Sequence, residues 1–282
     1  MRKLLYILII SIIFIFIFYK IISSTFDTSL HCNKLNKLKN NTTYDPKKIL
    51  IITLETRPSE MLNIHNYNID NYSTKHGYQY LFLNNYENDL KLPIYWKKIQ
   101  LIRDLLHKTD YEYIMWMDSD TLILDQDLTL QSILNLGYSS TIYIGRDVGS
   151  SDLNAGVFII KNDIHGKTFI DELINTYLKK DKCKDKNGEY SLNSGWAGEC
   201  YEQGIMNELL KTKYKKNTTV LEPYIIWNLH TPVSNIFILH LWAGLNKGNH
   251  REDAFKNLLK NNKSYDSRLE QFLYLIHKIT GI

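Results

Sequence analysis

A short apolar segment that runs directly into two acidic residues constrains the fold of this chain most strongly. Tyr113–Met117 form an apolar run of strand length, the pattern of a strand buried on both faces, and Asp118-Ser119-Asp120 follows at once. Strand-like runs and helical patterns alternate before it; in order they are Ile49–Leu54, 58–77, 78–83 and 96–107. This alternation is typical of a doubly wound α/β fold, so we predict a mostly parallel central sheet flanked by helices.

The same kind of pattern continues towards the C-terminus. Three further strands are predicted at 141–145, 156–160 and 237–241, and three further helices at about 167–178, 203–210 and 266–279. The sequence contains no internal repeat and no second linker within its 282 residues. We therefore expect one globular domain over residues 48–282.

The N-terminal segment has the properties of a membrane anchor. Residues 4–22 are almost entirely apolar, which is about the length needed to cross a bilayer, and Arg2 and Lys3 precede them. We predict a signal-anchor segment at 1–22 and a polar stem at 23–47, with the amino terminus in the cytosol. The alternative is a cleaved signal peptide, although Ser23-Ser24-Thr25 matches a cleavage site poorly.

Both alternatives place the remainder of the chain outside the cytosol, and we predict a single-pass type II membrane protein with its domain in the ER or Golgi lumen. Cys183 and Cys200 bracket a polar loop and could pair in such an oxidising compartment. The formal charge of +4 is spread along the chain without a basic stripe, so no nucleic acid partner is expected.

The acidic pair indicates a metal site. Ligands of open α/β sheets bind beyond the carboxyl ends of the strands, where Asp118 and Asp120 are predicted to lie. Residues two apart share a face if the strand continues, so both carboxylates could reach one cation. Carboxylate oxygens suit Mn²⁺ or Mg²⁺, which can bridge a diphosphate and neutralise its charge. The pair therefore predicts a metal-diphosphate site.

Four stretches, in order, resemble a family of retaining glycosyltransferases. They are residues 72–78, residues 96–103 running into 116–120, residues 153–162, and Glu202-Gln203-Gly204 followed by 240–244. That family includes fungal galactosyl- and mannosyltransferases and plant xyloglucan xylosyltransferases, with glycogenin more distantly related. The resemblance implies a GT-A fold and transfer of a hexose or pentose from a UDP- or GDP-linked sugar to a glycan or glycoprotein acceptor.

The resemblance also implies a role for each matching residue. For the metal, expected to be Mn²⁺ or Mg²⁺, the ligands are Asp118, Asp120 and His240. For the nucleotide-sugar, the implied contacts are Thr53, Leu54, Glu55, Lys98, Asp118, Ser119, Ala155, Gly156, Gly244 and Lys247. At the reacting face the implied residues are Gln203, Glu202 and Asn154.

Several alternatives stay open at this point. From the residues alone, His240 reads more simply as a core histidine, and Lys98 equally well as a solvated side chain of an amphipathic helix. Retention could proceed through a carboxylate nucleophile or at the front face, where the leaving diphosphate accepts the acceptor's proton. A glycan-binding scaffold without turnover is the rival from another class. A phosphatase of the haloacid dehalogenase type is disfavoured, since Leu122 stands where that motif has Thr or Val.

Overall fold

The computed structural model describes residues 44–87, 90–137, 139–229, 236–242 and 250–261. The predicted anchor at 1–22, most of the stem, Gly244, Lys247 and the predicted helix at 266–279 lie outside these residues. Within the described part of the chain, no helix is both long and apolar enough to cross a membrane.

The described residues contain nine strands and six α-helices, joined by turns, loops and short 3-10 helices. In chain order they are β1 Ile49–Leu54, α1 Glu60–His76, β2 Gln79–Leu83, α2 Ile94–Lys108, β3 Tyr113–Met117, β4 Thr121–Ile123, α3 Leu130–Leu134, β5 Ile142–Arg146, β6 Leu153–Lys161, α4 Ile164–Leu178, α5 Glu202–Lys211, β7 Thr218–Leu221, β8 Ile226–Asn228, β9 Ile238–His240 and α6 His250–Asn261.

The central sheet has the strand order β2-β1-β3-β6-β5-β7. Strand β1 pairs in parallel with β2 and β3, whereas β6 is antiparallel to both β3 and β5, and β7 is parallel to β5. Five of the six strands therefore run in one direction, which confirms the predicted mostly parallel sheet, and β6 alone runs against them. The reason is the short connection from β5 to β6: parallel neighbours need a crossover of a dozen or more residues, and this link is too short for one.

Alternation along the strands places helices on both faces of this sheet. Leu50 and Ile52 point into one apolar layer, which they share with α2, α4 and α5. Ile49 and Ile51 point into the other, which they share with α1 and α3. A strand buried on both faces must be apolar throughout, which accounts for the continuous apolar run that predicted β1.

Local sequence signals fix the ends of α1. The Ser59 hydroxyl accepts a hydrogen bond from the Leu62 amide at 3.1 Å and caps the first turn. Gly77 ends the helix with φ 76°, a left-handed conformation that glycine adopts without steric cost. The helix therefore stops where the sequence predicted.

A second, three-stranded sheet has the order β4-β9-β8. Its pairing sets Thr121 opposite His240 and Asn228 beside His240. Strand β4 follows β3 after a turn, so this small sheet begins at the carboxyl end of the central one. It is the element that brings the C-terminal part of the chain to that edge.

Candidate active site

Asp118, Asp120 and His240 converge at the carboxyl end of β3. One ligand atom from each, two carboxylate oxygens and an imidazole nitrogen, lies within 4.8 Å of the others. The chain leaves β3 at Asp118, turns through Ser119 and Asp120, and re-enters extended structure at Thr121. The carboxylates therefore meet across a turn, and not on the continued strand that the sequence reasoning assumed.

His240 is held in a single orientation. Its Nε2 lies 3.2 Å from Asp120 Oδ1, and its Nδ1 lies 2.8 Å from Asn228 Oδ1. Since the Asn228 carbonyl oxygen can only accept, Nδ1 carries the donated proton and Nε2 faces the carboxylates. Gly156 lies against the ring, because a Cβ at this position would be 2.1 Å from His240 Cε1.

The acids and the imidazole alter one another's protonation. Burial alone would lower the pKa of His240, but Asp120 and Asp118 outweigh it, and the pKa is raised. Burial would raise the pKa of Asp120, yet His240 and Arg251 lower it. For Asp118 burial prevails over nearby Lys98, and the pKa is raised. Arg251 of α6 reaches Asp120 Oδ2 at 2.9 Å, so Arg251 and His240 each lie beside one oxygen of Asp120.

Lys98 is buried inside the molecule, which settles the choice between a solvated and an internal side chain. Its Nζ lies 2.8 Å from Glu202 Oε1, donates to the Ala155 carbonyl at 3.0 Å, and lies 3.8 Å from Asp118 Oδ1. Burial opposes the charge, but Asp118 and Glu202 raise the pKa of Lys98. The ammonium group therefore lies between the Asp118 carboxylate and Glu202 at the start of α5.

Gln203 and Asn154 fix the backbone that faces this site. Gln203 Oε1 accepts from the Ala155 amide at 3.0 Å, and Asn154 Oδ1 accepts from the Gly156 amide at 2.8 Å. The Asn154 side chain also donates to Asp147 Oδ1 at 2.7 Å. The predicted residues Asn154, Ala155, Gly156 and Gln203 thus form one hydrogen-bonded unit.

Asp147 is a site residue that the sequence reasoning missed. It follows β5 directly, and burial raises the pKa of its carboxyl group. Because β5 runs parallel to β3, its carboxyl end lies at the same sheet edge. The strand-end rule that selected Asp118 could therefore have selected Asp147 as well.

The three predicted residues at the end of β1 differ in how closely they approach the acidic turn. Glu55 Oε2 accepts from the Ser119 hydroxyl at 2.9 Å, and Arg57 donates to both Glu55 oxygens, so Glu55 lies beside the acidic turn. Thr53 is fully buried, and its hydroxyl bonds to the Met117 carbonyl at 3.0 Å and lies 2.9 Å from His65 Nε2. Its side chain belongs to the framework under the site. Leu54 packs against the core.

The sequence pattern of the galactosyl transferase GMA12/MNN10 family matches residues 45–138. The predicted family resemblance is confirmed. The matched segment contains the end of β1, Lys98 and the two aspartates of the acidic turn, whereas His240, Gln203 and Asn154 lie beyond it.

Named relatives agree with this glycosyltransferase match. Probable glycosyltransferase 6 of rice (Oryza sativa) is 32% identical over 109 residues, which are 36% of this chain and 22% of that protein. Probable glycosyltransferase 3 of rice is 27% identical over 172 residues, which are 56% of this chain and 34% of that protein. The chain thus spans about a fifth to a third of the length of these two relatives.

A solved structure shares the fold. A glycosyltransferase involved in the glycosylation of the major capsid of PBCV-1 superposes with a TM-score of 0.55 at 14% identity, over 75% of this chain and 98% of that one. At this identity the likeness concerns the fold alone. The family match and the named relatives agree with the predicted enzyme class, a glycosyltransferase, and the solved structure agrees with the predicted fold.

Proposed function

We propose that this chain is a metal-dependent glycosyltransferase with a GT-A fold. It would move a hexose or pentose from a UDP- or GDP-linked sugar to a glycan or glycoprotein acceptor, with retention of configuration. The observation that carries the proposal is the convergence of Asp118, Asp120 and His240 at a strand end, two of them within the family-matched segment.

The residues present fit a divalent cation. Two carboxylates and one imidazole are a suitable donor set for Mn²⁺, and Mg²⁺ would rely more on the two oxygens. The hydrogen bond from His240 Nδ1 to Asn228 fixes the ring, so Nε2 is the nitrogen available to a metal. When bound, the cation would neutralise charge on the departing nucleoside diphosphate.

Glu202 is poorly suited to act as a covalent nucleophile. Its side chain is 5% exposed and Oε1 lies 2.8 Å from the buried Lys98 ammonium, which lowers the nucleophilicity of the carboxylate. Gln203 and Asn154 instead hold the backbone amides of Ala155 and Gly156 in place. This arrangement favours the front-face route, in which these residues position the donor sugar and the leaving diphosphate accepts the acceptor's proton.

The proposal also includes a location. The segment at 1–22 would anchor the chain in the membrane, with the domain in the ER or Golgi lumen. The disulfide between Cys183 and Cys200 supports this location, because such bonds persist in oxidising compartments.

A nucleotide-release assay tests the proposal. The full-length protein in detergent is incubated with UDP- and GDP-sugars and Mn²⁺, and free nucleotide is measured with and without excess chelator. We expect release from at least one donor, its loss with chelator and its recovery on adding Mn²⁺. Asp120→Asn should lower release by about 100-fold or more, whereas the exposed control Asp110→Asn should match the wild type.

A second variant separates binding from chemistry. Gln203→Ala should keep the affinity for UDP or GDP with Mn²⁺, because its amide supports the Ala155 backbone and not the cation, but it should lower the rate. Undiminished release in excess chelator, or an Asp120→Asn protein with wild-type activity, would contradict the metal site. A protein that binds glycans but releases no nucleotide from any donor would instead be a scaffold.

A further inference from the structure

Three aromatic side chains outside the cation site contact one another: Tyr95, Trp196 and Tyr201. The ring centroids of Tyr95 and Trp196 are 5.3 Å apart, those of Tyr95 and Tyr201 5.4 Å, and those of Trp196 and Tyr201 5.3 Å. Trp196 is 72% exposed, although large aromatic side chains gain most by burial. We call these three residues the aromatic platform.

The segment that carries Trp196 is firmly held. The disulfide between Cys183 and Cys200 closes it, and the Trp96 indole donates to the Cys200 carbonyl at 3.0 Å. Its backbone also lies directly on α5, since a Cβ at Gly204 would be 2.0 Å from the Gly198 carbonyl oxygen. The exposed indole therefore stands on a loop that is already ordered. Binding of a ligand would cost little conformational entropy of this loop.

The aromatic platform borders the proposed active site. Tyr95 precedes Lys98 by about one turn of α2, and Tyr201 directly precedes Glu202, the partner of Lys98. After burial, the largest influences that raise the pKa of the Tyr95 hydroxyl are Tyr201 and Glu202, and Asp118 contributes as well. The aromatic platform thus lies beside the Lys98–Glu202 ion pair.

The ring planes of Tyr95 and Trp196 meet at 81°, so they form a corner and not a flat sheet. A pyranose ring matches such a corner, because its C–H face is apolar while its rim carries hydroxyl groups. The indole face can cover the C–H surface, and tyrosine hydroxyls can bond to the rim. Glu55 at the end of β1 binds Arg57, whose charge lowers the pKa of the Tyr95 hydroxyl, so the platform lies beside the proposed donor site.

We infer that the aromatic platform binds a sugar ring of the acceptor glycan, an inference that rests on the proposed glycosyltransferase function. The proposed ligand of the platform is a pyranose ring in a neutral oligosaccharide. The platform would hold the acceptor close to the donor site while the reacting hydroxyl group extends towards Gln203.

The test compares Trp196→Ala with Tyr67→Ala, which removes an equally exposed ring (70%) from α1. Full-length protein is kept in a detergent without a sugar headgroup. Cellohexaose, mannohexaose, xylohexaose and galactotetraose serve as probes, with affinities measured by saturation-transfer NMR without nucleotide. Affinity for UDP and GDP with Mn²⁺ and nucleotide release from donor sugars are measured in parallel, and thermal unfolding checks the fold.

We expect at least one oligosaccharide to bind the wild type and Tyr67→Ala alike, with affinity lowered about tenfold in Trp196→Ala. Trp196→Phe, which keeps a ring, should lose less. Nucleotide affinity and donor hydrolysis should stay within about twofold, since the indole lies outside the cation site.

Two results would overturn the inference: no probe binds the wild type at millimolar concentration, or Trp196→Ala binds the probes as Tyr67→Ala does. A fall in nucleotide affinity in Trp196→Ala, with oligosaccharide affinity unchanged, would also overturn it and assign the platform to the donor. Failure of the proposed function has a different signature. In that case the wild type releases no nucleotide, while the oligosaccharide measurement still decides whether the platform binds sugar.

Discussion

His65 supports the site from beneath, without reaching it. The imidazole is fully buried between β1 and β4, with Nδ1 2.8 Å from the Thr121 carbonyl and Nε2 2.9 Å from the Thr53 hydroxyl. In a neutral ring Nδ1–H donates to the Thr121 carbonyl, and Nε2 accepts from the Thr53 hydroxyl, whose single proton the Met117 carbonyl also accepts. Burial lowers the pKa of His65 to about 4, so the ring stays neutral in the folded protein at ordinary pH.

This depressed pKa predicts a stability that depends on pH. The unfolded histidine titrates near 6.5, so between pH 6.5 and 4 the unfolded state binds more protons than the folded one. The contribution of the neutral His65 to the free energy of unfolding is fully present above pH 6.5, and it is lost as the pH falls from 6.5 to 4. From pH 6.5 to 5 the free energy of unfolding should drop by about 1.5 kcal/mol from this residue alone.

Urea unfolding of the wild type and of His65→Gln across this pH range measures the effect. Glutamine can retain one donor and one acceptor but does not titrate, so the variant should be less stable at pH 7 and have a flatter slope between pH 6.5 and 5. Equal slopes in the two proteins would contradict the assignment to His65.

At the level of elements, the proposed cation site depends on how closely β6 approaches β9. Gly156 of β6 lies under the His240 ring of β9, where a Cβ would be 2.1 Å from Cε1, 2.6 Å from Nε2 and 2.7 Å from Nδ1. The ring has little freedom to yield, because Asn228 of β8 holds its other side. The absence of a side chain at Gly156 therefore lets the two sheets place His240 beside Asp120.

Gly156→Ala should consequently disturb the metal site more than the fold. We expect the free energy of unfolding to fall by about 1–3 kcal/mol, and manganese affinity to fall about tenfold or more because the imidazole is displaced from Asp120. Manganese titration followed by electron paramagnetic resonance measures the affinity. Gly195→Ala is the control, since a Cβ there would meet no atom within 4 Å. Wild-type manganese affinity in Gly156→Ala would contradict this account.

The sequence predicted those elements whose signals are local. Continuous apolar runs marked β1 and β3, and Ser59 and Gly77 marked the ends of α1, because strand burial and helix capping act within a few residues. A metal site was predicted in the same local way, because Asp118 and Asp120 directly follow an apolar strand.

Features that depend on distant pairing were not accessible from the residues alone. His240 reached the list of metal ligands only through family resemblance, since strand β9 pairs with β4 more than a hundred positions away in sequence. The burial of Lys98 was equally hidden, because a lysine on a helix is usually solvated and its partner Glu202 comes from another helix. Trp196 carried no sequence signal at all, since exposure is a property of the folded surface.

At the scale of the whole molecule, the disulfide and the apolar N-terminal run are two independent indications of one location. Cys183 and Cys200 are bonded within the described domain, and such bonds are rare in the cytosol. Residues 4–22 follow Arg2 and Lys3, an arrangement that retains the amino terminus on the cytosolic side. Both are consistent with the domain lying in the lumen of the secretory pathway.

This topology predicts the behaviour of the protein in microsomes. The full-length chain should stay in the membrane pellet after carbonate extraction, because an apolar segment of this length is long enough to cross the bilayer. Its domain should resist added protease until detergent opens the vesicles. A variant with Ile9→Lys and Ile12→Lys is the matched control: each lysine at the centre of the span costs about 3 kcal/mol, so this chain should become extractable or stay exposed to protease. Release of the wild-type domain by carbonate, with protection from protease retained, would identify a cleaved signal peptide, and digestion of the domain in intact vesicles would contradict the luminal location itself.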